Sequence, residues 1–133
     1  METEIIKTEK APAPIGPYNQ AVKAGNLLFV SGQIAIEPSS GNLIIENIEV
    51  ETHRVMKNIA AILKEAGAGF HHIVKTTIFL SDMSLFTAVN EIYGSYFSPK
   101  AGAELPVFPA RETVAVKGLP KNVNVEISVT AVL

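Results

Sequence analysis

Two side chains in the C-terminal quarter of the chain are of types that do chemistry together. They are Arg111 in "VFPARETVAV" and Glu126 in "VNVEISVTA". A guanidinium presents a planar fork of donors that matches a carboxylate in two prongs. A carboxylate held nearby can accept and return a proton or place a water. Both residues lie in alternating stretches. Val123, Val125, Ile127, Val129 and Ala131 alternate with Asn124, Glu126, Ser128 and Thr130, so Glu126 falls on the polar face of a strand. In the preceding stretch Arg111, Thr113 and Ala115 share one face, and Glu112, Val114 and Val116 the other. If the two stretches pair as a hairpin around "GLPKN", Arg111 and Glu126 meet on one face. Two readings of such a pair stay open. One is a surface cross-strand ion pair worth at most about 1 kcal/mol; the other is a fixed guanidinium that captures a small carboxylate.

Other residue types narrow the chemistry. Tyr18 in "PIGPYNQ" follows a proline and a glycine that restrict and bend the chain, so its hydroxyl either bonds to backbone or walls a pocket. Gly32 in "FVSGQ" interrupts a strand pattern, which marks a bulge or a close backbone approach by a ligand. Ser31 lacks the G-x-S-x-G setting of a hydrolase nucleophile, and no phosphate-binding loop occurs. His53, His71 and His72 lack metal-ligand spacing, and the adjacent pair would point apart on a strand, so no metal is expected. The absence of cysteine removes disulfides and thiolate chemistry.

The elements that position these residues follow from periodicity. Ala21 to Ile36 carries β-favouring residues on either side of Gly25-Asn26 and reads as a hairpin. "EPSSGN" is a loop. Val55, Ile59, Ile62, Leu63 and Ala66 form the stripe of an amphipathic helix from about Ile48 to Ala66, stopped by Gly67. Ile73 to Leu80 reads as a strand. Asp82 or Ser84 caps a second helix running to about Phe97, with Phe86, Val89, Tyr93 and Phe97 on one face and Pro99 beyond it. Strands at about 111–117 and 123–132 close the chain. This order predicts one α+β domain spanning residues 1–133, a mainly antiparallel sheet with both helices packed on one face. The other sheet face then needs cover, and a symmetric assembly of copies is the common solution.

Composition excludes several classes. A hydrophobic fraction of 47% in 133 residues supports one folded core, and the formal charge of -2 offers no footprint for a polyanion, so nucleic acid is not an expected partner. No run of about 18 apolar residues predicts a membrane span, and the first residues lack the pattern of a signal peptide. A soluble, cytoplasmic protein is expected.

The segments "IGPYNQAV", "LLFVSGQIAI", "VNEIYGSYF" and "FPAR" with "VAVKGLPKNVNVEISVTA" closely resemble the Rid (reactive intermediate deaminase) family, also called the YjgF or RidA family. The resemblance spans about Ala13 to Ala131. It implies a chorismate-mutase-like fold and a homotrimer with its sites in clefts between subunits. It implies hydrolysis of enamines and imines, such as 2-aminoacrylate and 2-aminocrotonate released by pyridoxal-phosphate enzymes, to 2-oxo acids and ammonia, with no cofactor or metal. Carried onto this sequence, Arg111 is the carboxylate-binding arginine, and the backbone N–H of Thr113 helps hold the same carboxylate. Glu126 is linked to the hydrolytic water, and Tyr18, Ser31, Gly32 and Asn90 line the pocket. The partner is a small 2-imino or 2-oxo acid. Two alternatives attach to the same resemblance: a non-catalytic module that senses a small carboxylate, and an RNase or translation-inhibitor role. Two departures from the family pattern bear on the site, namely Glu112 directly after the arginine and a long "SPKAGAELPVFPAR" stretch.

Overall fold

The computed structural model describes residues 2–133. Six strands and two helices are laid out in chain order: β1 (Thr3–Ile6), β2 (Ala21–Ala24), β3 (Leu27–Gln33), α1 (Ile48–Glu65), β4 (Ile73–Leu80), α2 (Phe86–Gly94), β5 (Ala110–Ala115) and β6 (Val125–Val132). The strand at β1 was not anticipated. β2 and β3 form the expected hairpin, turned by Gly25 at a φ of 62° that a side chain would resist.

Helix α1 starts where Asn47 accepts the Val50 N–H at 2.8 Å through its side chain. It ends where Gly67 enters the left-handed region at φ 76° and the Ala68 N–H reaches back to the Leu63 carbonyl at 2.8 Å. Its apolar stripe, Val55, Met56, Ile59, Ile62 and Leu63, is fully buried against the sheet. Burying each such side chain contributes about 1.5–3 kcal/mol. The second helix is shorter than its stripe suggested. Asp82 caps a 3-10 turn over Met83–Leu85 by accepting the Ser84 N–H at 2.7 Å, and the α-helix proper covers only Phe86–Gly94.

The sheet order is β1-β2-β3-β6-β4-β5. Every pairing is antiparallel except β4 with β5, which run parallel because α2 carries the chain back between them. The expected hairpin of the last two strands is therefore not formed. β6, with Val125, Ile127, Val129 and Ala131 buried under the helices, takes the centre of the sheet between β3 and β4, and β5 is left outside β4 as an edge. The Val116 N–H meets the Leu80 carbonyl, and the Ser81 N–H meets the Asn124 carbonyl, both at 2.9 Å. The "GLPKN" segment thus crosses the end of β4, turning at Lys121 and Asn122 with φ of 55° and 56°.

The start of β6 is anchored from below the sheet. The fully buried Glu51 carboxylate of α1 accepts the Asn124 N–H at 2.7 Å, the Asn124 amide at 2.8 Å and the Val125 N–H at 3.1 Å. A carboxylate taken out of water needs such donors. Both helices lie on one sheet face, and among the described residues none covers the other. There Ile5, Phe29 and Val114 stay 62%, 46% and 45% exposed. No helix among the described residues is long and apolar enough to cross a membrane.

Candidate functional site

The polar chemistry is split into two half-sites on opposite faces of the sheet. The first surrounds Arg111. Its register partner is the buried Thr76, so its side chain leaves β5 on the helix-covered face and meets α2. The guanidinium carbon lies 5.2 Å from the centroid of the Tyr93 ring and 5.7 Å from that of Phe86, within cation–π range. Tyr93 is fixed in turn, donating its hydroxyl to Thr76 Oγ1 at 2.9 Å. Burial raises the Tyr93 phenol above its ordinary value, against the opposing pull of Thr76 and of Arg111.

Arg111 opens onto a recess of about 280 Å³ lined also by Asn90, Tyr93, Gly94, Phe108 and Pro109. Among the described residues the one ion pair is Lys75–Glu112, which leaves Arg111 without a carboxylate. Two oxygens, Asn90 Oδ1 and Thr113 Oγ1, are buried with no hydrogen-bond partner. Such atoms carry a desolvation cost that an incoming group would relieve. The backbone adds a donor. Since the Val116 N–H points to β4, alternation turns the N–H groups of Glu112 and Val114 the same way. Those of Arg111 and Thr113 then face the free outer edge.

The second half-site surrounds Glu126, which pairs with Phe79 on the uncovered face. Its carboxylate rests against the bare backbone of Gly32, where a Cβ would come within 2.8 Å of the Glu126 carboxyl carbon. A register shift between Val30 and Gln33 bends β3 at this point. Burial raises the Glu126 carboxyl above its ordinary value. A small cavity of about 40 Å³ lies between Tyr18, Gly32, Pro120 and Glu126, and it is large enough for a water. The segment carrying Tyr18 is stapled by Gln20, whose buried amide donates to the carbonyls of Ala11 at 3.2 Å and Pro12 at 2.9 Å. The Tyr18 hydroxyl accepts the Ile15 N–H at 3.1 Å, and the Ser31 hydroxyl donates to the Asn19 carbonyl at 2.6 Å.

Comparison with known proteins gives these half-sites a context. The family described as Endoribonuclease L-PSP matches residues 8–133. Reactive Intermediate Deaminase A, chloroplastic, of Arabidopsis thaliana is 44% identical over 133 residues, covering 100% of this chain and 67% of that protein. A Rid-family protein of Yersinia pestis superposes with a TM-score of 0.91 at 44% identity, covering 99% of this chain and 100% of that one. Escherichia coli TdcF, solved with bound serine, superposes at 0.89 with 35% identity and 98% coverage of both chains. The chain belongs to the Rid family. Its two helices on a mixed, mostly antiparallel sheet are the chorismate-mutase-like fold of that family.

Against this Rid fold the expected site residues separate cleanly. Arg111, Asn90 and Thr113 come together, and so do Glu126, Tyr18 and Gly32, with Ser31 beside them. Arg111 and Glu126 do not meet within one copy, because β4 lies between their strands and they leave the sheet on opposite faces. Glu112 does not neutralise Arg111. It faces the uncovered side, where it pairs with Lys75 at 2.8 Å and accepts the Thr77 hydroxyl, contacts that hold its carboxyl below its ordinary value. His71 and His72 do not point apart: they lie in a 3-10 turn with ring centroids 4.0 Å apart. Among the described residues no cluster of three or more His, Cys, Asp or Glu could hold a metal. Sequence reasoning missed Phe86, Tyr93, Phe108 and Pro109 as site residues. Phe86 and Tyr93 were visible as one face of a helix, but an aromatic stripe reads as core until a cation is found over it.

The Gly32 contact yields a local prediction. Gly32→Ala is expected to displace the Glu126 carboxylate and, on the deaminase reading proposed below, to lower kcat roughly tenfold or more, since misplacement by about 1 Å can cost 100-fold. Thermal unfolding should shift by only a few degrees, because the neighbour that must yield is a side-chain end. An unchanged kcat would show that the carboxylate needs no fixed seat.

Proposed function

We propose that this Rid protein hydrolyses enamines and imines of small 2-amino acids, with 2-iminopropanoate and 2-iminobutanoate as substrates. Each site takes Arg111 from one copy and Glu126 from the next copy of a homotrimer. The observation that carries the reading is the unpaired guanidinium of Arg111, braced by two rings at the mouth of a recess lined also by Asn90, whose side-chain oxygen lacks a partner. A short carboxylate with a polar nitrogen meets all of those demands. The uncovered sheet face, which holds Glu126, supplies the contact between copies. TdcF with its bound serine and the Arabidopsis deaminase fit the same reading.

The reaction follows from the residues. 2-Aminoacrylate gains a proton at its terminal carbon and becomes the iminium of 2-iminopropanoate. Its carboxylate seats on Arg111 in two prongs, with the outward N–H of Thr113 beside it and Asn90 facing the nitrogen. A water in the small cavity next to Glu126 and Tyr18 attacks C2. A C–O bond forms, the C=N electron pair moves to nitrogen, and Glu126 takes the water's proton. That proton is returned to nitrogen; the C2 hydroxyl then gives its proton to Glu126 as its electron pair closes the C=O bond and the C–N bond breaks, so that ammonia leaves, taking up that proton as ammonium, and a 2-oxo acid remains. Tyr18 orients the water. The raised carboxyl of Glu126 suits a group that must both accept and return a proton. Such substrates also decay unaided, so the protein has mainly to hold, orient and place one water.

The test is ammonia release from 2-aminoacrylate generated in situ by a pyridoxal-phosphate enzyme, beside a calorimetric titration with pyruvate. Accelerated release with pyruvate binding is the expected result. Binding without turnover would replace the enzyme by a carboxylate sensor.

A further inference from the structure

We infer that the recess beside Arg111 is a side-chain pocket that selects 2-imino and 2-oxo acids with an uncharged, apolar side chain, and that Gly94 and Phe108 set its size. The inference rests on the deaminase reading for its substrates, but the pocket itself is argued from its walls.

Arg111 is the one charged residue that lines the recess, and Asn90 the one amide. The remaining walls are the Tyr93 ring, the bare backbone of Gly94, the Phe108 ring and Pro109. With the carboxylate on Arg111, the groups on C2 diverge. The nitrogen faces Asn90, and the third carbon runs along Tyr93, Gly94 and Phe108. With Arg111 engaged by the first carboxylate, an ammonium or second carboxylate running along Tyr93, Gly94 and Phe108 would give up its hydration with no opposite charge on those walls to meet it. A methyl, ethyl or isobutyl group would leave water for an apolar wall.

The far wall is braced. Tyr93 packs on Phe97 with centroids 4.9 Å apart, and Phe97 meets Phe108 edge-on at 5.7 Å. Phe108 itself is 54% exposed and belongs to the long 98–109 segment, so that segment sets one limit of the pocket. The other limit is Gly94. A Cβ built there meets no atom within 4 Å, and its φ is not in the left-handed region. A larger residue at 94 therefore occupies the recess without straining the helix that carries it.

The experiment compares wild type with Gly94→Val and Phe108→Ala on two imines, those derived from alanine and leucine, and measures dissociation constants for pyruvate and 4-methyl-2-oxopentanoate. For Gly94→Val, the leucine-to-alanine ratio of kcat/KM and the corresponding affinity ratio should both fall about tenfold or more, the usual effect of a methylene gained or lost in an apolar pocket. Phe108→Ala should move both ratios by at least a few-fold. The glutamate-derived imine should be a poorer substrate than the leucine-derived one by about tenfold. Ratios unchanged in both variants, or a glutamate imine handled as well as the leucine imine, would overturn the pocket. If wild type turns over no imine yet the 2-oxo acid affinity ratio still falls in Gly94→Val, the pocket stands and the deaminase reading alone fails.

Discussion

Replacing Arg111 by lysine is expected to lower kcat/KM for 2-iminopropanoate about 100-fold while the fold persists. A guanidinium gives a carboxylate two parallel bonds in a fixed plane, and an ammonium on a flexible stem gives one point contact. Losing one charge-assisted bond and the orientation it enforces is worth about 2–3 kcal/mol, which is the factor expected. On the proposed mechanism the effect should fall on both binding and turnover, because the same contact would hold C2 in reach of the water. Stability should hardly change. Arg111 is only partly buried, it pairs with no carboxylate, and a lysine over Tyr93 and Phe86 keeps part of the cation–π attraction. Ammonia-release kinetics and a thermal melt measured on one preparation check both halves. Near-wild-type turnover would remove Arg111 from the site.

Glu126→Gln is expected to lower kcat by about 1,000-fold, within the usual range for loss of a general acid–base group, with pyruvate affinity changed by no more than a few-fold. Equal weakening of both would make Glu126 structural. The pH dependence follows from the sign of its shift. Burial raises its carboxyl, so the basic form is lost, as pH falls, sooner than for an exposed glutamate. The acid limb of kcat should then lie above the pH at which an ordinary carboxylate titrates. For folding, the raised value means that stability is fullest below the unfolded-state pKa and declines as pH rises through the folded-state value. Removing the charge should therefore leave Glu126→Gln at least as stable at neutral pH. Co-expressing Arg111→Lys with Glu126→Gln gives the sharper test. In randomly assorted rings of the proposed homotrimer, about three-quarters are mixed and each mixed ring would hold one intact site of three, so about a quarter of wild-type activity should return. No recovery would place both residues in the same copy.

Local pattern made most of the fold legible. The α1 stripe, the strand at Ile73–Leu80 and the alternation of β6 are written in consecutive residues, and the structure reproduces them almost residue for residue. β1 was missed because "TEII" is a short, exposed edge with one buried residue, too little to stand out as a period. Pairing was less legible than the strands themselves. Nothing local tells Val123 to Ala131 to pass β5 and insert between β3 and β4, because that choice depends on burying both of its neighbours at once. The residues of the site were found largely through resemblance to a family, and their division between two faces became visible only when the strand order was known. The 98–109 segment carries no periodic signal, and Phe108 and Pro109 entered the site only through their position in space.

The opposed departure of the guanidinium and the carboxylate from the sheet has a consequence for how such an enzyme behaves at low abundance. On the proposed reading a solitary chain is chemically mute, so turnover per mole should vanish on dilution below the dissociation constant of the assembly while every strand is still in place. Catalysis would then report encounter between copies, and a mild dissociating agent would silence it long before the fold melts.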